Sequence, residues 1–141
     1  MSFDKIMAIG GTGLNAQLIR MNATASNLAN SGVVSATEDG AFRGQRAVFS
    51  ALLEGKTTGG FEGLYGGVKV EKIVNVNKPV EQIYEPGNPM ADANGYVYSS
   101  NVNEVEELIE MLDASRAYQN NVEVINTAKD LMKRTLDLIK V

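Results

Sequence analysis

Three small groups of residues in this sequence are of a type and spacing that could do chemistry. The first is Gly11-Thr12-Gly13-Leu14-Asn15-Ala16, which fits G-x-G-x-x-A, the loose form of a dinucleotide fingerprint. There, glycines let backbone N–H groups approach a pyrophosphate at a helix N-terminus. That use needs a strand before the glycines. The preceding "FDKIMAI" shares the heptad spacing of the residues after the glycines, so it predicts helix. The glycines are then expected to let a neighbouring helix come close. The second group is the acidic run Glu104, Glu106, Glu107 and Glu110. Cation ligands must converge on one point, whereas a helix fans consecutive residues apart. The run is better read as a solvated first turn that complements a helix dipole. The third group is the serine and threonine hydroxyls, which lack a histidine partner or a clear Ser–Lys pairing. Asn22-Ala23-Thr24 is an N-x-T sequon, but it falls within a helical pattern.

Composition narrows the field further. The chain has 141 residues, which suits one domain, and 44% of them are hydrophobic, which suits a folded protein. It has neither Cys nor His. Disulfides, thiol catalysis, Cys-based metal sites and imidazole chemistry are thereby excluded. Net charge is −4, with Lys133-Arg134 as the only adjacent basic pair, so no nucleic acid is expected as a partner. Neither a secretory signal nor a window long and apolar enough to cross a membrane is visible. No cofactor, no metal and no enzymatic activity are expected.

The elements that carry these residues are two long helices. Met7, Leu14, Met21 and Leu28 recur at strict sevens, and Gly11, Leu18 and Ala25 follow four residues after the first three. Alternating spacings of four and three place both sets on one helix face, predicting a helix from about Asp4 to Ala29. At the other end, Met111, Tyr118, Ile125, Met132 and Ile139 recur at strict sevens, joined by Leu108, Val122 and Leu136. Val124, Leu131 and Leu138 widen that stripe beyond what a two-stranded seam needs. Asn101 is placed to cap this helix, with Glu104 as its capping-box partner. The helix is expected to be about 58 Å long. A rod of that length in a short chain needs a partner helix, and the N-terminal one is at hand.

Between the helices, "FRGQRAVFSALLE", "GVKVEKIVNV", "VEQIYEPGNP" and "NGYVYSS" read as strands, with turns at Pro86-Gly87 and Asn94-Gly95. Residues 54–67 hold six glycines and predict a flexible loop. The expected fold is mainly α with a small β insert. Segments 1–33 and 102–141 form an antiparallel coiled coil around an antiparallel hairpin region at 34–101.

Charge separates the two helices. Residues 1–33 contain three charged side chains, whereas 102–141 contain thirteen. In "MNATASNLAN", Met21 to Asn30, small polar residues stand where a solvated helix carries Lys and Glu. Such a face suits contact with protein, where Asn, Ser and Thr hydrogen-bond without desolvating a charge. The intramolecular seam is expected to join Met7, Leu14, Leu18, Met21 and Leu28 to Leu108, Met111, Tyr118, Val122, Ile125, Met132 and Leu136. Asn22, Ser26, Asn27, Asn30 and Arg116 are expected in subunit contacts. A nucleotide- or small-ligand-binding module using Gly11–Ala16 and a generic coiled-coil adaptor are the alternatives.

"LNAQLIRMNATASNLAN" (Leu14–Asn30) resembles the N-terminal signature of the axial rod and hook proteins of the bacterial flagellum. "NVNEVEELIEMLDASRAYQNNVEVINTAKDLMKRTL" (Asn101–Leu136) is similar to their C-terminal signature, centred on Ser115-Arg116-Ala117-Tyr118-Gln119. "YEPGNPMADANGYVYSSNV" (Tyr84–Val102) resembles the block found in proximal-rod members. The sequence departs from the family pattern at Gly40-Ala41-Phe42-Arg43, where Pro-Tyr-Arg is usual. The resemblance implies a non-enzymatic structural subunit of the periplasmic rod of the basal body. It implies partners among other rod proteins and copies of itself, packed as a helical tube that transmits torque. It also implies passage through the flagellar type III export apparatus without a cleaved signal peptide.

Overall fold

The structure, a computed structural model, describes residues 3–52 and 66–139. Helix α1 spans Phe3–Ala29 and helix α2 spans Glu104–Ile139. Between them lie β1 (Val34–Ser35), β2 (Gln45–Ala51), β3 (Val68–Asn75), β4 (Glu81–Tyr84) and β5 (Tyr96–Ser99). The chain is thus mainly α with small antiparallel sheets between two terminal helices. β1 is an element the turn and alternation signals do not announce, because two residues carry no period. Residues 54–65 of the glycine-rich stretch lie outside the described residues.

The chain divides into two compact units. The first joins residues 1–19, 48–72 and 113–141, and the second joins 20–47 and 73–112. Both helices contribute to each. In the first unit, Gly10 and Gly13 of α1 lie against Ile125 and Asn121 of α2. In the second, Arg20 and Asn27 meet Glu110 and Glu107. In either unit the α2 partner number falls as the α1 number rises, so the pairing is antiparallel, as the heptads predict.

The three-stranded sheet, in the order β1-β5-β4, belongs to the second unit. Val34 pairs with Ser99, and Tyr84 with Tyr96. Val97, on the central strand, is fully buried. The β4–β5 connection is closed by Asp92, whose Oδ1 accepts from the N–H groups of Asn94 at 2.8 Å and Tyr96 at 2.9 Å. Gly95 sits there at φ +82°, and a Cβ would come within 2.9 Å of the Tyr84 ring. Only glycine meets both demands. β2 and β3 form a separate two-stranded sheet, with Val76 N–H donating to Gly44 O at 2.6 Å and Leu52 N–H to Gly67 O at 3.0 Å.

The start of α2 differs from the expectation. Asn103 is the cap: its Oδ1 accepts from the N–H groups of Val105 at 3.0 Å and Glu106 at 3.2 Å. Asn101, expected in that role, is used elsewhere. It accepts from Gly44 N–H at 2.7 Å and donates to Val76 O at 3.1 Å and Lys78 O at 2.8 Å. Both asparagines precede the same acidic turn, so composition alone does not rank them. Tertiary contact with the ends of β2 and β3 decides.

Candidate functional site

Burial sorts the faces of the two helices into an inner and an outer side. The inner side of α1 is built from Ala16, Ala23, Thr24 and Asn27, all buried. The inner side of α2 follows Glu107, Ala114, Asn121 and Ala128 at strict sevens, between the half-buried Met111, Tyr118, Ile125 and Met132. Of the expected heptad, Ile125 lies against Gly10, and Met111, Tyr118 and Met132 are half-buried beside this line. Its expected companions do not all follow. Leu108 and Leu136 are 48% and 52% exposed, and Leu18 is 45% exposed. Val122 is half-buried. The physical reason is the narrow gap between the helices. A Cβ on Gly10 would lie 2.8 Å from Ile125 Cγ1, and one on Gly13 would lie 2.8 Å from Asn121 Nδ2. At that spacing the innermost line takes Ala, Asn and a paired Glu, and the leucines one residue further along turn outward. Met7, Leu14, Met21 and Leu28 are half-buried flanks.

The glycines of Gly11–Ala16 accordingly lie inside α1, with no strand before them. Of these glycines Gly13 serves helix approach, as expected, and so does Gly10 just before them, whereas Gly11 has nothing within 4 Å of the place a Cβ would take. The adjoining cleft in the first unit, about 460 Å³, is walled by Ile6, Ile9, Val68 and Val124, and among the described residues its lining carries no charge.

The second unit holds a buried polar cluster. Asn27 is 0% exposed and Glu107 is 2% exposed. Asn27 Oδ1 accepts from Gln45 N–H at 2.7 Å, and its Nδ2 donates to Gln45 O at 2.9 Å. The amide thus pairs with the backbone of β2 as a neighbouring strand would. Nδ2 also donates to Glu107 Oε2 at 2.9 Å. Arg46 approaches the same carboxylate in bidentate fashion, NH1 to Oε2 at 2.9 Å and NH2 to Oε1 at 2.5 Å. This hydrogen bond holds the Arg46 guanidinium above the ordinary arginine value; partial burial opposes the rise and nearby carboxylates reinforce it. α1, β2 and α2 meet at one side chain.

Asn27 therefore does not face a neighbouring subunit, contrary to its expected role. Asn30 is also used internally, its Nδ2 donating to Ser26 O at 2.7 Å and closing the end of α1. Asn22 and Arg116 are exposed and Ser26 is half-buried. Glu107 differs from the solvated turn expected of the acidic run. Its position seven residues before Ala114 was the available signal, since Glu107, Ala114, Asn121 and Ala128 share one helical line.

On the outer side of α1, Gly11, Asn15, Leu18, Asn22, Ala25 and Ala29 are exposed and carry no charge. On α2, within the second unit, Val105, Leu108, Ile109 and Leu112 are exposed at helical spacing. Within the first unit, Val124, Leu131 and Leu138 are exposed at strict sevens. Among the described residues no helix is long and apolar enough to cross a membrane.

Two family descriptions match this chain. One, for flagella basal body rod proteins, matches residues 7–36, and the other, for the C-terminal part of the flagellar basal body rod FlgEFG proteins, matches residues 93–138. The chain is 42% identical over 139 residues to the flagellar basal-body rod protein FlgC of Salmonella typhimurium, covering 98% of each. It has the same identity and coverage against the FlgC of Escherichia coli. Against the FlgC of Borreliella burgdorferi it is 32% identical over 143 residues, covering 94% of each.

Proposed function

The chain belongs to the FlgC family of flagellar basal-body rod proteins, and from that membership we propose how its two helices serve a rod. It is a structural, non-enzymatic subunit of the basal-body rod, a component of bacterial motility. Its assembly is with rod proteins. Our reading adds which faces make that assembly. The inner sides of α1 and α2 are consumed within the chain. The outer sides are left to neighbouring copies and to other rod proteins, which pack as a helical tube that carries torque. A heterologous contact that does not close a ring generates such a helix. Export through the flagellar type III apparatus belongs to the same reading, as does outer contact by the β region.

One observation carries it: Val105, Ile109 and Leu112 are 65%, 54% and 58% exposed on a helix whose opposite side is already packed. An exposed apolar ridge of this kind marks a protein contact. The chosen variant is Ile109→Asp, supplied to a strain that lacks the chain. We expect normal export and accumulation with no swimming and no completed rod in isolated basal bodies. Normal swimming would sink the reading.

A further inference from the structure

The apolar pattern of the two helices does not fix how far along each other they pair. Met7, Leu14, Met21 and Leu28 recur every seven residues, as do Met111, Tyr118, Ile125 and Met132. A slide of seven residues exchanges each bulky side chain for another of similar size. The inner line of α2 is equally repetitive at Ala114 and Ala128. Within the second unit, what breaks the repeat is polar. A slide of one heptad would set Asn27 opposite Ala114. It would leave the Asn27 amide and the Glu107 carboxylate in the interior, each without the other. Buried polar groups that lose their partners strongly disfavour such an arrangement. A single buried polar side chain fixes register in coiled coils by the same logic.

We propose that Asn27 and Glu107 set the register of α1 against α2 in the second unit, and that β2 makes this register conditional on its own docking. Asn27 gives two of its three hydrogen bonds to the backbone of Gln45. Arg46, the next residue of β2, supplies the bidentate partner of Glu107. The register is therefore read by three elements at once. Without β2 in place, Glu107 has only the Asn27 amide, and the amide only Glu107. Asn27 and Glu107 are positioning residues: they touch no partner protein, and they decide which residues of each helix face outward at a given height.

The chain has no cysteine, so introduced thiols are the only ones present. Ser31 Oγ lies 2.8 Å from Glu104 Oε1, so Ser31→Cys with Glu104→Cys reports the observed register. Ser31→Cys with Met111→Cys reports a slide of one heptad. Each pair is closed with a short bismaleimide in dilute full-length monomer and scored as an intramolecular product. In the otherwise unaltered chain only the first pair is expected to close above the background of the urea-denatured chain. In the Asn27→Leu/Glu107→Leu background the second pair is expected to rise several-fold above that level while helical circular dichroism is retained. Closure of the first pair alone in that background would overturn the proposal. Should the double variant lose its helical signal, Asn27→Ala decides. A several-fold rise of the slid product supports the proposal, and its absence overturns it.

Discussion

The amide of Asn27 and the carboxylate of Glu107 meet at 2.9 Å with both side chains removed from solvent. Around this contact the second unit arranges the last turns of α1, the start of β2 and the first turn of α2. The contact lies between a residue that composition assigns to the outer face and one that it assigns to solvent.

Asn27→Ala removes three hydrogen bonds and leaves the N–H of Gln45 without its side-chain partner, while the Gln45 C=O keeps the Arg46 guanidinium at 3.2 Å. Each buried polar group left unpaired costs about 1–3 kcal/mol. Urea unfolding is expected to show a loss of about 2–4 kcal/mol. Asn22→Ala, at an exposed position of the same helix, should change stability by less than about 0.5 kcal/mol.

Arg46→Met retains the apolar stem and removes the guanidinium from Glu107. Breaking a fully buried pair costs about 3–5 kcal/mol, but the Arg46 side chain is 37% exposed, so the expected loss is about 1–3 kcal/mol. The same urea titration checks it, and an unchanged midpoint would mean that water replaces the arginine without penalty. Because the Arg46 pKa is raised by the ionised Glu107, its contribution is complete from neutral pH up to the ordinary arginine range. It is lost as pH climbs through the raised value. Wild-type and Arg46→Met curves should therefore run parallel between about pH 6 and about pH 9.

The glycines of α1 separate by position. Gly11 has nothing within 4 Å of the place a Cβ would take, so Gly11→Ala should raise stability by about 0.5–1 kcal/mol through helix propensity alone. Gly13→Ala gains the same propensity but drives Cβ to 2.8 Å from Asn121 Nδ2, and Gly10→Ala meets Ile125 Cγ1 at 2.8 Å. Both are expected to lower the thermal midpoint relative to Gly11→Ala. Equal midpoints for all three would show that Ile125 and Asn121 move aside, or the helices part, without cost.

Asn103→Ala should lower stability by about 1 kcal/mol through loss of the α2 cap. Asn101→Ala should cost more, because three bonds to the ends of β2 and β3 go with it. Amide hydrogen exchange distinguishes the two: the first variant should speed exchange at Val105 and Glu106, and the second at Gly44.

The helices, their antiparallel partnership and the strands β2 to β5 were legible in the sequence. Periodicity and turn residues are local signals, and heptads at both ends of a short chain leave each helix one obvious partner. The family was legible too, because its signatures occupy consecutive residues. Which residue of each heptad faces inward was not. Periodicity gives the line of apolar residues but not the distance between helices. That distance depends on small residues: Gly10 and Gly13 of α1 lie against Ile125 and Asn121 of α2, and Ala16, Ala23, Ala114 and Ala128 are the buried positions of the two helices. Once small residues bring the backbones together, leucines no longer fit innermost, and Leu18, Leu108 and Leu136 turn out to solvent.

"MNATASNLAN" shows the same division. Its composition determined that the segment needs hydrogen-bond partners other than water. The tertiary structure decided that Asn27 finds them on β2 and α2 within its own chain, whereas Asn22 is left outside. Sequence encodes the demand of each polar group, but the partner that meets it comes from residues far away along the chain. Only folding brings Gln45, Arg46 and Glu107 to Asn27.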